Sequence, residues 1–250
     1  MTTSLTLVAK TGIKARTGAY LERTGKLYLE RAKTEITPAS LPCDTFAWSP
    51  LSKTRNQVAK RVVDLLVGVV GITLSPIIAI AVKTFQAFFS PGPLLYWQNR
   101  EGKYGEVLLF PKFRTMPMDH SCTLNGTGPA TKVEPNMPKA MQSLRNWADE
   151  WPQFYLIFFG KMSLIGPRAL MYEQLPSHDS DSWRLLRQQV APGLTHMARV
   201  LYGGRSKGEK PYSETEMKML ELWYEKNWSA WLDTKLFFRT VAVILTDRNH

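Results

Sequence analysis

Residues Val62 to Phe89 read VVDLLVGVVGITLSPIIAIAVKTFQAFF, an apolar run of 28 residues around which the rest of the chain must be arranged. A membrane helix needs about 20 predominantly apolar residues, so this run is long enough to enter or cross a bilayer. Pro76 lies near its middle, where it removes a backbone donor, and Ser75 offers a hydroxyl to the freed backbone groups. We therefore predict a kinked membrane helix with its break at Ser75–Pro76.

Basic residues flank this apolar run on both sides. They are Lys53, Arg55, Lys60 and Arg61 ahead of it and Arg100, Lys103, Lys112 and Arg114 after it. Positive charge marks the cytoplasmic side of a membrane segment, so both ends are predicted to be cytoplasmic. A helix that enters, bends and returns satisfies both flanks, and we predict this re-entrant geometry for residues 56–93. A straight span and a pair of buried helices in a water-soluble domain are the alternatives.

The composition is that of a folded and strongly basic chain. Hydrophobic residues make up 44% and charged residues 21% of its 250 residues, and the net charge is +11. Such a charge implies an anionic partner, which is nucleic acid, an anionic membrane surface or a phosphate-rich substrate. Because no recognised nucleic-acid motif accompanies the charge, we expect no nucleic-acid partner.

The cysteines, the histidines and the first residues exclude further classes of protein. Cys43 and Cys122 lie far apart and are typical of free thiols in a reducing compartment. The four histidines show no zinc-ligand spacing, so no zinc site is predicted. The first residues lack the apolar core and cleavage site of a secretory signal, so we expect the catalytic part to stay on the cytoplasmic side.

Three segments follow from these patterns. Residues 1–55 are predicted to be a basic extension with a short helix, resting on the membrane or solvated, and a proline-containing linker. Residues 56–93 are the predicted membrane helix, and residues 94–250 the cytoplasmic catalytic domain. The expected fold class is mixed α/β and mostly helical, with amphipathic interfacial helices around the active site.

The start of the predicted catalytic domain has the pattern of a β-hairpin. Leu94–Gln98 and Glu106–Phe113 are rich in strand-forming residues, and Gly102–Gly105 supplies a turn between them. We therefore predict two antiparallel strands immediately after the membrane helix.

The end of the chain has the pattern of two helices. Ser213 and Glu216 have capping-box spacing and predict a helix through about Lys226. The aromatic, amphipathic stretch Trp231–Leu245 predicts a second helix, which either packs as core or lies in the membrane interface.

Two adjacent carboxylates, Asp149 and Glu150, precede Pro152, a residue that favours the first turn of a helix. The apolar run that follows reaches Gly160, which suits a helix C-terminus. The pair is thus expected at a helix N-terminus, where the helix dipole stabilises carboxylates and attracts phosphate. Adjacent carboxylates point in different directions, so one can attack phosphorus while the other holds Mg²⁺. Ordinary capping of the helix is the alternative.

Cationic residues occur on both sides of this acid pair in the sequence: Lys112, Arg114, Arg168 and Arg205. Lysine and arginine are the side chains expected to clamp a diphosphate. We predict that these four bind substrate phosphate; four unrelated surface charges are the alternative.

Ordered motifs between Lys60 and Leu245 resemble those of the monotopic phosphoglycosyl transferases, the bacterial sugar transferase family that acts on polyprenyl phosphate. In chain order the motifs are KRVVD (60–64), SP (75–76), SPGP (90–93), Q-x-R-x-G (98–102), KFRTM (112–116), DEWPQ (149–153), MSLIGPR (162–168), PGLT (192–195) and WSAWLD (228–233). Each motif alone is weak, but their common order over about three quarters of the chain is specific.

The resemblance implies a two-step transfer at the cytoplasmic face of the bacterial inner membrane. Asp149 would attack the β-phosphate of a UDP-sugar and release UMP, and polyprenyl phosphate would then accept the sugar phosphate from Asp149. Glu150 would bind Mg²⁺. The product would initiate an exopolysaccharide or another surface glycan. A homodimer, or partners from glycan assembly, would also be compatible with this family.

The chain departs from the family pattern at four positions: Trp151, Lys161, Ala169 and His196. Lys161 reverses a charge near the predicted catalytic region. The departures favour either a divergent donor pocket or, as the alternative function, a catalytically inactive member that serves as a membrane-bound scaffold or interaction subunit.

Overall fold

The computed structural model describes residues 23–24, 26–36, 49–89, 91–114, 148–172, 182–202 and 213–247. Its helices are α1 (residues 26–35), α2 (Thr54–Phe89), α3 (Gln153–Phe158), α4 (Ser182–Arg187), α5 (Met197–Tyr202), α6 (Glu214–Lys226) and α7 (Ala230–Asp247). Its strands are β1 (Leu95–Glu101), β2 (Val107–Phe113), β3 (Ser163–Ile165) and β4 (Gly193–Thr195). The described part is mixed α/β and mostly helical, as predicted.

The long helix α2 contains the whole apolar run and continues through Pro76. Ser75 Oγ donates to the carbonyl oxygen of Gly71 at 2.8 Å, the bond to the i−4 carbonyl by which serine often bends a helix. The structure therefore has one continuous 36-residue helix across Ser75–Pro76, and the re-entrant bend expected at these residues stays a prediction. Within the described part of the chain, α2 is the one helix long and apolar enough to cross a membrane.

One face of α2 packs against the rest of the protein. Its buried positions are Asp64, Gly68, Gly71, Ser75, Val82 and Gln86, which recur every three, four or seven residues. At Gly71 an added Cβ would lie 2.2 Å from Cγ of Phe154, so only glycine lets α3 approach this closely. The opposite face carries exposed Leu66, Ile77 and Ile80. The helix thus joins a face of small and polar residues to an apolar face that the described residues leave uncovered.

The predicted hairpin is present. β1 and β2 pair antiparallel, with Leu95 opposite Phe113 and Glu101 opposite Val107. The turn between them is a 3₁₀ segment, Lys103–Gly105. β1 runs three residues further than the predicted strand end at Gln98 because the pairing continues to Glu101.

A second, parallel pair of strands joins two of the sequence motifs. β3 pairs with β4, with Ser163 opposite Gly193 and Ile165 opposite Thr195. The pairing extends as a bridge from Arg168 to Gly193. The segment that contains Arg168 is thereby placed beside the segment that leads into α5.

Helices α1, α4, α5, α6 and α7 enclose the largest apolar cluster. The capping box at Ser213 and Glu216 is formed, and α6 ends at Lys226, as predicted. On α7, Leu232 and Leu236 are buried whereas Trp231 and Phe238 are exposed, so the predicted core packing holds for one face only.

The N-terminal helix α1 packs on the same cluster. Leu29, Ala32 and Ile36 are buried, and the ring of Tyr28 meets that of Trp223 edge to face at 5.1 Å. The predicted short helix is therefore present and is attached to the core by one face.

Candidate active site

The acid pair lies in a turn between β2 and α3. The backbone N–H of Phe113, the last residue of β2, donates to the carbonyl oxygen of Asp149 at 2.9 Å. The N–H of Gln153, the first residue of α3, donates to the carbonyl oxygen of Glu150 at 3.1 Å. The pair thus stands directly before a helix, as predicted, with Pro152 in the cap position.

Lys112 on β2 lies between the two carboxylates. Its Nζ is 3.9 Å from Oδ2 of Asp149 and 3.8 Å from Oε1 of Glu150. The Asp149 and Glu150 side chains are 20% and 32% exposed, so both are partly screened from water yet open to a ligand. A cation at this distance from both offsets the repulsion between two adjacent negative charges. The structure thus brings together three of the predicted site residues.

Arg199 joins the same group, although the sequence did not single it out. Its Nη1 lies 3.3 Å from Oε2 of Glu150. Arg199 lies on α5, which follows β4 after the single residue His196. No motif or periodicity marks it, because its proximity to Glu150 depends on how α5 is placed by the β3–β4 pair.

His196 is buried directly before α5, the helix that carries Arg199, and feels the charges of three arginines. Burial, together with the charges of Arg168, Arg199 and Arg187, lowers the pKa of His196 to about 3. The ring is therefore neutral at physiological pH, and its Nδ1 accepts from the backbone N–H of Arg199 at 3.4 Å. Arg168 and Arg199 are thus both near this ring.

The backbone of Arg168 is held by a buried charge network that sequence analysis missed. Its N–H donates to Oε1 of Glu221 at 2.7 Å, and its carbonyl oxygen accepts from the guanidinium of Arg187. Arg187 also bonds Oε2 of Glu221 at 3.2 Å and pairs with Glu101. Burial raises the pKa of Glu221, and the Arg187 charge opposes that shift. These residues position Arg168, and nothing in the local sequence pattern signals their pairing.

Arg114, a predicted phosphate-binding residue, is turned towards the C-terminal end of α2. Its side chain is 7% exposed, and its Nε donates to the carbonyl oxygen of Pro93 at 2.9 Å. Its carbonyl oxygen accepts from Gln86 of α2 at 2.7 Å. Burial lowers the pKa of Arg114. The observed contacts fasten the hairpin to α2, so contact with phosphate stays a prediction for this residue.

Arg205 lies outside the described residues, and its predicted role stays a prediction.

The first residues of α2 are bonded to the residues that follow the hairpin. Lys60 Nζ lies 2.8 Å from Oδ2 of Asp233 and donates to the carbonyl oxygen of Ile165 at 2.8 Å. Arg61 donates to the carbonyl oxygen of Ile157 at 2.6 Å and so closes the C-terminal end of α3. Asp64 accepts from the N–H of Leu164 at 2.8 Å. The charged residues of the KRVVD motif therefore attach the N-terminal part of α2 to α3, β3 and α7.

The acid pair itself is linked to the middle of α2. Trp151, the residue after Glu150, donates through its indole Nε1 to the carbonyl oxygen of Gly71 at 2.9 Å. This bond lies one turn before Pro76. A partly exposed pair of carboxylates with its cations is thus fixed against the helix that would meet the membrane.

Comparisons with known proteins place this chain in a family. The model of the bacterial sugar transferase family matches residues 55–247, and the chain belongs to that family. The match contains α2, the acid pair and every strand of the described structure.

Two curated relatives carry specific activities in their names. The chain is 32% identical, over 89% of its length, to UDP-N-acetylgalactosamine-undecaprenyl-phosphate N-acetylgalactosaminephosphotransferase of Aeromonas hydrophila, and covers 50% of that protein. It is 37% identical, over 77% of its length, to UDP-glucose:undecaprenyl-phosphate glucose-1-phosphate transferase of Klebsiella pneumoniae, and covers 41% of that protein. The chain therefore spans about half or less of the length of these two relatives.

A third relative is similar in length. Sugar transferase EpsL of Bacillus subtilis, which is uncharacterised, is 28% identical over 75% of this chain, and the match covers 88% of that relative.

Proposed function

We propose that this protein transfers a sugar-1-phosphate from a UDP-sugar to undecaprenyl phosphate, or another polyprenyl phosphate, and so initiates an exopolysaccharide or other surface glycan. The carrying observation is the pair Asp149–Glu150, with Lys112 Nζ within 3.9 Å of both carboxylates. The link from Trp151 to α2 sets this pair beside an apolar helix, which suits a water-soluble donor and a lipid acceptor. The names of the relatives support the same donor and acceptor classes.

Asp149 is the proposed nucleophile. Its carboxylate oxygen attacks the β-phosphorus of the UDP-sugar, the bond from that phosphorus to the bridging oxygen breaks, and UMP leaves with the electron pair. A phosphate oxygen of the polyprenyl phosphate then attacks the same phosphorus. The bond to Asp149 breaks, and the free carboxylate is restored. Lys112, already beside both carboxylates, can neutralise charge that develops on the phosphate oxygens.

Glu150 is the proposed ligand for Mg²⁺. Across the described ranges no group of three or more histidine, cysteine, aspartate or glutamate side chains forms a protein-only metal site. Mg²⁺ is commonly held by one or two carboxylates together with substrate phosphates, and the partly exposed Glu150 fits that pattern. When bound, Mg²⁺ would neutralise negative charge on the diphosphate.

The contacts of α2 support the re-entrant geometry. Lys60 and Gln86 both bond the catalytic domain, and they are about 39 Å apart along a helix that rises 1.5 Å per residue. A straight crossing would carry one of these contacts to the far side of a hydrocarbon core about 30 Å thick. A helix whose middle dips into one leaflet keeps both contacts at the cytoplasmic face of the inner membrane. We assign residues 56–93 to this helix and residues 94–250 to the cytoplasmic side.

The departures from the family pattern leave the acid pair intact. Lys161 is exposed and its Nζ lies 3.4 Å from Oε2 of Glu106, on the hairpin. His196 is neutral and lies directly before α5. Trp151 supplies the bond to Gly71. None of these contacts opposes catalysis, so the observations favour the enzyme over an inactive scaffold.

The test is UMP release by the full-length protein in nanodiscs, with undecaprenyl phosphate, Mg²⁺ and a panel of UDP-sugars. We expect release with at least one donor and none from Asp149→Asn, which is nearly isosteric but cannot act as the nucleophile. Retention of covalently bound phosphosugar by the wild-type protein, in the absence of acceptor, would identify the intermediate by intact mass. Wild-type turnover by Asp149→Asn, or silence of the folded wild-type protein across all donors, would overturn the proposal.

A further inference from the structure

Two cations from different parts of the fold meet on one carboxylate. Lys112, on β2, approaches Oε1 of Glu150 at 3.8 Å, and Arg199, on α5, approaches Oε2 at 3.3 Å. Asp149, the other member of the pair, is 3.9 Å from Lys112. Glu150 therefore has a cation on each of its two oxygens before any ligand arrives.

The backbone of Arg199 is fixed while its guanidinium is accessible. The ring of buried His196 accepts from the Arg199 N–H at 3.4 Å, and the His196 carbonyl oxygen accepts from Val200 N–H at 3.2 Å. The Arg199 side chain is 46% exposed, and that of Glu150 is 32% exposed. An ion pair at such exposure is weak, so the guanidinium can exchange its partner at little cost.

The exchange partner must be an anion with the geometry of phosphate. A guanidinium presents parallel donors that match two phosphate oxygens, and it binds them more strongly than it binds an exposed single carboxylate oxygen. When Glu150 holds a divalent cation, the positive charge of that cation repels the Arg199 guanidinium. The donor diphosphate, which must lie next to Asp149 for the attack, is then the nearest anion.

We propose that Arg199 binds the diphosphate of the nucleotide-sugar donor, exchanging its partner Glu150 for phosphate oxygens when the donor enters. The inference rests on the proposed function and adds a donor-contacting residue from α5 to the cations predicted from sequence. It also gives Glu150 two alternating states, one paired with arginine and one available to the cation.

Two measurements test this assignment on full-length protein in nanodiscs. The first is the dissociation constant of UDP with Mg²⁺, measured by calorimetry, because UDP carries the diphosphate and cannot be turned over. The second is the separation of KM for the donor from kcat. Arg199→Gln, which keeps length and polarity, is compared with Arg199→Lys and with Arg31→Gln, which removes one exposed arginine charge from α1.

We expect Arg199→Gln to weaken UDP binding and raise the donor KM by roughly 10- to 100-fold, the loss typical of hydrogen bonds to a charged group. The UDP affinity and donor KM of Arg199→Lys should lie between those of Arg199→Gln and wild type, because lysine keeps the positive charge but lacks the paired N–H donors of the guanidinium. Arg31→Gln should match wild type in both measurements. Thermal denaturation of each variant shows that the exposed substitution leaves the fold intact.

The measurements distinguish failure of the donor contact from failure of the proposed function. If wild-type protein releases UMP while Arg199→Gln keeps the wild-type UDP affinity and donor KM, the donor contact is overturned and the proposed function stands. A fall in kcat and in Mg²⁺ affinity alone would mean that Arg199 only orients Glu150, which also overturns the donor contact. If the wild-type protein neither binds UDP nor releases UMP, the proposed function fails, and the role of Arg199 fails with it.

Discussion

Trp151 and Gly71 are joined by a hydrogen bond from the indole Nε1 to the backbone carbonyl oxygen, 2.9 Å long. The indole follows the acid pair directly in the chain, and the carbonyl belongs to the apolar helix one turn before Pro76. The Trp151 side chain thus links the site directly to the middle of the helix, in addition to the contacts at the two ends of α2.

Replacing Trp151 by phenylalanine should loosen the acid pair without unfolding the protein. The ring still packs against Phe154, whose centroid is 5.0 Å away, but the bond to Gly71 is lost. We expect a loss of stability of about 1 kcal/mol, the usual net value of one hydrogen bond, and a fall in kcat. Denaturation in detergent and steady-state UMP release measure the two effects. An unchanged kcat would show that this bond does not position Asp149.

Replacing Gly71 by alanine should separate α2 from α3. The added Cβ would lie 2.2 Å from Cγ of Phe154, so the ring or the helix must move. Overpacking of this kind costs about 1–3 kcal/mol, and we expect a lower melting temperature in detergent. Val70→Ala is the control, because Val70 is on the exposed face. Equal melting temperatures for the two variants would contradict the close packing.

Removal of Lys112 should affect chemistry more than stability. Lys112→Ala takes away the cation beside both carboxylates, and we expect kcat/KM to fall by about 10²–10³, as when one stabilising donor is lost from an active site. Lys112→Arg should restore part of the activity. Lys161→Ala, which removes an exposed lysine paired with Glu106, should leave kcat/KM within about twofold of wild type. A similar loss in both alanine variants would argue against a specific role for Lys112.

The buried Glu225 should make the protein less stable as pH rises. Burial, and then the charge of Glu221, raises the pKa of Glu225 well above its ordinary value of 4.5. Because the pKa is higher in the folded than in the unfolded protein, the contribution of Glu225 to stability is fully present below about pH 4.5 and is lost as the pH rises through the folded pKa. The glutamine in Glu225→Gln cannot ionise. The melting temperature of this variant should therefore rise relative to that of the wild-type protein as the pH is raised from 5 to about 8. Parallel curves for the two proteins would show that Glu225 is not protonated on folding.

The sequence predicted those structural elements that are determined by residues close together in the chain. The capping box at Ser213 needs only residues three apart, and the hairpin needs only a turn at Gly102–Gly105 between two strand-forming runs. The adjacency of Asp149, Glu150 and Pro152 likewise places the pair before a helix. These features were visible in the sequence because a few neighbouring residues decide them.

The features that the sequence did not predict depend on contacts between residues far apart in the chain. Arg199 contacts Glu150, which is 49 positions away in the sequence, and Arg187 contacts Glu101, which is 86 positions away. No sequence periodicity predicts either pair. Helix α2 continues through Pro76, and α3 packs against Gly71 one to two turns before it, a contact between distant residues that the sequence does not show. Arg114 was grouped with the phosphate clamps because its charge is visible in the sequence whereas its burial is not.

The face of α2 that carries Asp64, Gly68, Gly71 and Gln86 makes the anchor irreplaceable. A generic lipid-soluble helix of the same length, grafted in its place, would still hold the chain at a bilayer. It would lack the space at Gly71 that accommodates Phe154, the Gly71 carbonyl oxygen that accepts from Trp151, and the Asp64 carboxylate that accepts from Leu164. Replacing α2 would therefore remove the contacts that hold Trp151, Phe154 and Leu164 in place, even if the new helix bound the bilayer equally well.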